Sequence, residues 1–283
     1  SAFTNGVFEA LVYDELHGEG QAEDYSRVIG RAQGVGFAAV LAASLSASVS
    51  VQFGYIAILW ASVAVVLAAA GAAIALPRAR KTLRINRPYL ALLKQGFHTV
   101  AGAPLILGFI AFAALSNAFG GGLEGFWPIF GSETGLAASQ VALFVGAISA
   151  AQAAGSLTAH RLREAATPVF FVLFAVIGLL IAAAAASLQP WSVALIIPAA
   201  GLFKVVDVNF DARLHHAIPT ETRATIAAVK SFAGQVTMTG MLMIFGVLAQ
   251  GVSYRAAFMG CGGAIALIGL GALVRNRLRG GAG

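Results

Sequence analysis

The chain has 283 residues, 59% of them hydrophobic and only 11% charged, with a mean hydropathy of +0.83. Apolar runs of roughly twenty residues, the length that crosses a hydrocarbon core, are greasy all round, which excludes a soluble globular domain and an alternating β-barrel. The net charge of +6 reads as a topology signal rather than a nucleic-acid footprint, and the single Cys261 excludes an intrachain disulfide.

The first stretch, SAFTNGVFEALVYD, reads as the end of a helix already under way, with no signal peptide, so an N-terminally truncated piece is expected. Full apolar segments follow near residues 33–51, 53–76, 100–123, 138–160, 167–188, 191–213, 222–248 and 254–275. Gly54, Pro77, Pro168, Pro190 and Gly251 stand where breaks are needed.

Threading these segments through a bilayer sorts the charges. One side receives Arg27 and Arg31, six basic residues between 77 and 97, then Arg161, Arg163, Arg213 and Arg223, and the tail residues Arg275, Arg277 and Arg279. That is fifteen of the eighteen basic residues, while Arg255 lies opposite and Lys204 and Lys230 fall inside runs. Basic loops stay cytoplasmic, so both the 77–97 loop and the C-terminus are expected inside. The 77–97 loop holds no acidic residue, which suits orientation and attraction to anionic headgroups.

Six apolar segments after a long basic loop resemble the C-terminal half of a major facilitator superfamily transporter, a fold of two six-helix halves. Local sequence adds to the resemblance. EALVYDELHGEGQAEDYSRVIGR looks like the junction between helices four and five of bacterial members, and AIPTETRAT like the I-P-x-x-x-R-A-T junction between helices ten and eleven. AAGSLTAHRLRE is similar to a degenerate G-x-x-x-D-R-x-G-R loop motif, with His160 in place of the aspartate. Two drug-antiporter signatures are not met: Arg31 and Gln33 in GRAQGVGFAA are one residue too close, and LAASLSASVSV lacks glycine and proline.

The polar residues inside or beside these runs are the candidates for function, because buried charge in a membrane is costly and marks a pathway or a paired network. Glu9 is a buried-acid candidate, with Tyr13 one turn away as a donor, whereas Asp14 suits a helix-end contact near the surface. Arg31 is another gate or helix-end contact. Glu124 follows three glycines and precedes Phe126, Trp127 and Pro128. It fits either an interfacial aromatic belt with a flexible break or a hinge and outer gate on a glycine-interrupted helix.

In GLFKVVDVNFDARL, Lys204, Asp207 and Asp211 share one helical face. They form either a self-neutralised structural ladder or a proton and solute pathway. Desolvation favours a protonated carboxyl and a paired lysine opposes it. Asp207 is expected to be the deeper carboxylate and Asp211 to reach the interface. Asn209 points elsewhere and is suited to bonding a neighbouring helix. His215 and His216 diverge on a helix and read as a solvated pair without a metal-ligand set.

In AIPTETRAT, Pro219 ends one helix, Thr220 or Thr222 caps the next, and Glu221 suits its positive end. Arg223 stands at the boundary, as a topology anchor or as a gate residue. Lys230, seven residues on and roughly 10 Å deeper, belongs either to the pathway or to a paired network. Small-residue runs at 182–186 and 260–263 suit close helix packing.

The expected fold is an all-α membrane bundle of the major facilitator type. Residues 1–76 would hold the end of helix four with helices five and six, 77–97 the cytoplasmic loop, 98–276 the second six-helix half, and 277–283 the tail. The expected function is secondary active transport of a small solute by alternating access in a bacterial cytoplasmic membrane. The resemblance implies proton coupling and, further, efflux of a drug-like or apolar compound; a metabolite uptake symporter is the alternative. Expected partners are the solute, protons and membrane lipids, with no nucleic acid, cofactor or metal and a monomeric state. An enzyme is not expected, since H-E-x-x-H, G-x-S-x-G and P-loop motifs are missing. A lipid-directed membrane enzyme and a non-transporting scaffold are the rivals from other classes.

Overall fold

The computed structural model describes residues 12–13, 15–50, 55–75, 102, 104–218 and 223–280. Glu9, Asp14, the 77–97 loop and residues 219–222 lie outside the described residues. Among the described residues the elements are helices, with no strand. They are α1 (Tyr25–Ser50), α2 (Tyr55–Ala75), α3 (Pro104–Glu124), α4 (Trp127–Glu133), α5 (Ala138–Thr158), α6 (Thr167–Ser187), α7 (Val193–Ala217), α8 (Arg223–Gly251) and α9 (Tyr254–Gly280). Six of these, α3 and α5 to α9, are long and apolar enough to cross a bilayer. The protein is an all-α, multi-pass membrane protein.

The apolar runs end where local chemistry ends them. Pro168 stands in the first turn of α6, where a missing N–H costs nothing. At the other end Leu188 takes a left-handed conformation (φ 45°) and its N–H closes on Ala184 O. Between lipid-compatible helices there is no hydrophobic drive to associate, so close backbone approach has to supply the packing. The pair α6–α9 uses it most: a Cβ at Gly262 would lie 2.5 Å from Ala182 N, and one at Gly269 2.6 Å from Ala175 N. Aromatic side chains fill the layer above. Trp127, Phe130, Phe245 and Phe258 form one buried cluster that holds α4 against α8 and α9.

Two local expectations change. The helix expected from about 33 begins at Tyr25, because Tyr25 and Ile29 are fully buried and draw the polar start of the segment into the bundle. The flexible break expected at Gly120–Gly122 does not occur there, since α3 runs unbroken through them to Glu124. These glycines are sites of close approach: a Cβ at Gly120 would lie 3.2 Å from the Phe203 ring, and one at Gly122 would strike Met241. The chain turns only at Gly125–Phe126, where the short α4 begins.

α7 lies at the centre, packed on α3, α5 and α6 and touched by α1. Both polar clusters described next include side chains that it carries.

Candidate functional site

The first cluster lines a cavity of about 80 Å³ between α3, α5 and α7. Its polar walls are Ser116, Asn117 and Glu124 from α3, Gln152 from α5, and Lys204 and Asp207 from α7. Lys204 Nζ lies 3.7 Å from Asp207 Oδ2, with 21% and 37% of the two side chains exposed. The ammonium also stands 5.1 Å from the centre of the Phe37 ring on α1, a favourable cation–π position. Across the cavity, Gln152 Nε2 donates to Glu124 Oε1 at 2.8 Å. Ser116 is 3% exposed, and its hydroxyl has no hydrogen-bond partner among the described residues. The cavity therefore presents two acids, one cation, two amides and an unengaged hydroxyl, in a space large enough for several waters or part of a small solute.

The second cluster sits about one turn further along α7. Asp211 accepts from Tyr25 Oη at 2.5 Å through Oδ2, and is ion-paired through Oδ1 with Lys230 of α8. His215 Nε2 is 3.7 Å from Oδ2 of the same carboxylate. Above it, Tyr13 stacks on His215 with ring centroids 5.5 Å apart, and Tyr13 Oη lies 2.8 Å from His216 Nδ1. Tyr25 and His215 are both fully buried. A charge is stable in such a place only when partners replace the lost water. Here the partners come from four stretches of chain: the segment before α1, α1 itself, α7 and α8.

Asp211, expected at the interface, is instead only 8% exposed, because Tyr25 and Lys230 arrive from other helices and cover it. Its charge partner is Lys230, so Lys204, Asp207 and Asp211 do not form one self-contained ladder. Asp207 is the more open of the two carboxylates and faces the cavity. The histidine pair, expected to be solvated, is split: His215 is buried and His216 exposed, both in the last turn of α7. Lys230 is half-buried and paired. Arg31 is exposed on α1 and enters neither cluster. Arg223 opens α8.

Asn209 bonds across to another stretch, its Nδ2 donating to Ala159 O at 2.9 Å as well as to Val205 O at 2.8 Å. Tyr25, Gln152 and Ser116 are members of the two clusters that the sequence did not single out. Gln152 had a usable signal, as an amide within an apolar membrane run. Tyr25 had none, since it stands just outside its apolar run and meets a carboxylate 186 residues away.

Among the described residues, no group of three or more His, Cys, Asp or Glu is placed to hold a metal ion. No protein-family model, no curated protein and no solved structure matches this chain.

Proposed function

We propose that the chain forms the substrate-bearing part of a secondary active transporter of the major facilitator type, moving a small solute by alternating access. The observation that carries this reading is the cavity between α3, α5 and α7, which holds Glu124, Lys204 and Asp207 inside a bundle of bilayer-length helices. Ionisable groups at that depth are expensive and are characteristic of ion and solute paths. Asp207 is the proton acceptor of the proposal. Taking up a proton would remove its attraction for Lys204, 3.7 Å away, and change the charge facing the solute by one unit.

Tyr25, Asp211 and Lys230 belong to the same reading as a closure on the basic side. They tie α1 to α7 and α8 in this state, and opening that side would require α1 to release Asp211. The proposal includes proton coupling, efflux of an apolar or drug-like compound, a bacterial cytoplasmic membrane, and a cytoplasmic C-terminus.

The test is flux in proteoliposomes that contain the chain together with the N-terminal helices implied by the resemblance. An imposed pH gradient should drive uptake of a fluorescent lipophilic cation, and Asp207→Asn should abolish the gradient-driven component. Flux unchanged by Asp207→Asn combined with Glu9→Gln would remove the proton assignment. Lipid turnover without any flux would favour a membrane enzyme.

A further inference from the structure

A second concavity lies away from the transport cavity and shares no residue with it. It has a volume of about 370 Å³, within the range of small-molecule sites, which starts near 300 Å³. α3 and α9 form its walls, while α6 and α7 close its floor. Phe112 and Phe210 stack at the bottom with centroids 4.2 Å apart, flanked by Phe109 and Phe171. At one end the lining turns polar, with Thr167 at the start of α6 and Arg275 and Asn276 near the end of α9.

That end is strongly cationic. Arg275 is exposed, and among the described residues no carboxylate pairs with it. Just behind the mouth, the Arg213 guanidinium donates to Thr167 Oγ1 at 2.8 Å and to the carbonyls of Ala165 and Arg163. All of these acceptors are neutral, so its charge too is left without a counter-ion among the described residues. The helix faces beside the groove carry exposed Leu107, Val172, Leu270 and Val274, an apolar surface suited to hydrocarbon.

We infer that this groove binds one anionic phospholipid, with its phosphate on Arg275 and an acyl chain lying over the phenylalanine floor. Charge and position select this occupant. The slot opens beside exposed apolar helix faces, its only charged lining residue among the described residues is cationic, and that residue stands at the polar end of the slot. From Arg275 down to Ile268 the helix descends roughly 10 Å, so one molecule must span a polar end and a buried apolar length. Basic pockets between membrane helices recognise lipid headgroups in this way. The inference stands apart from the transport reading, because none of its residues lines the transport cavity.

The test is native mass spectrometry of the protein released from nanodiscs made of equal parts phosphatidylglycerol and phosphatidylcholine. Phosphatidylglycerol should be retained selectively, and Arg275→Gln should reduce its retention about fivefold, the scale of one arginine's attraction to an anionic headgroup. Gly271→Phe should abolish retention, because a Cβ there meets no atom within 4 Å and the ring would occupy the slot. Gly108→Leu, equally open on the opposite wall, repeats this test if the first variant melts below the wild type. Equal retention of both lipids would overturn the inference. So would phosphatidylglycerol binding unchanged by groove filling, or its displacement by free inorganic phosphate.

Discussion

Asp211 and Lys230 are only 10% and 15% exposed as side chains, so each depends on the other in place of water. Removing either group takes away the nearest opposite charge of the other, and breaking a buried pair costs about 3–5 kcal/mol. Asp211→Asn and Lys230→Met should therefore each lower the unfolding midpoint in detergent markedly. The double variant should lose less than the sum of the two single losses, because the attraction between the groups is removed only once. Additive losses in thermal melts would show that the two groups act independently. Asp207 provides the contrast: its side chain is 37% exposed and only 3.7 Å from Lys204, so Asp207→Asn should leave the melting midpoint close to wild type while acting on flux. This division between a covered carboxylate and a more open one was not visible in GLFKVVDVNFDARL. Helical spacing shows which residues share a face, but not which face a distant tyrosine or lysine will cover.

The helices themselves were far more legible than the contacts between them. A run of about twenty apolar residues can satisfy its backbone in lipid only as a helix, so the spans of α2, α3 and α5 to α9 follow from composition. The start of α1 and the short α4 did not follow. Tyr25–Ile29 is held helical by burial against other segments, and Trp127–Glu133 is too short to show a period. Glycine was ambiguous for the same reason, since its role depends on what approaches it. At Gly262 the approaching atoms are backbone atoms of α6, 2.5 Å from a Cβ, whereas at neighbouring Gly263 nothing lies within 4 Å. Gly262→Leu should force α6 and α9 apart at a cost of at least 1–3 kcal/mol, and Gly263→Ala should change stability by no more than about 0.5 kcal/mol. Melting of the two variants side by side checks the pair. Equal effects would mean that α6 and α9 do not meet through this face.

At the scale of the whole molecule, α1, which the Asp211 cluster ties to α7 and α8, is also held along a second line, where it packs on α5. A Cβ at Gly34 on α1 would lie 2.7 Å from Leu157 Cγ on α5, so cysteines at these two positions fall close to disulfide geometry. Cys261 is buried on α9 and packs against the aromatic core, which leaves it a poor competitor for oxidation. In the proposed transport cycle one bundle rocks against the other around the central cavity, and α1 must separate from α5 and α7 on the basic side at each turnover. Oxidising the Gly34→Cys, Leu157→Cys variant should stop flux, and reduction should restore it, with either single variant unaffected by oxidant. A non-reducing gel reports the cross-link independently of transport. Full cross-linking with undiminished flux would mean that this seam stays shut throughout the cycle, and Tyr25, Asp211 and Lys230 would then be a permanent clasp rather than a gate.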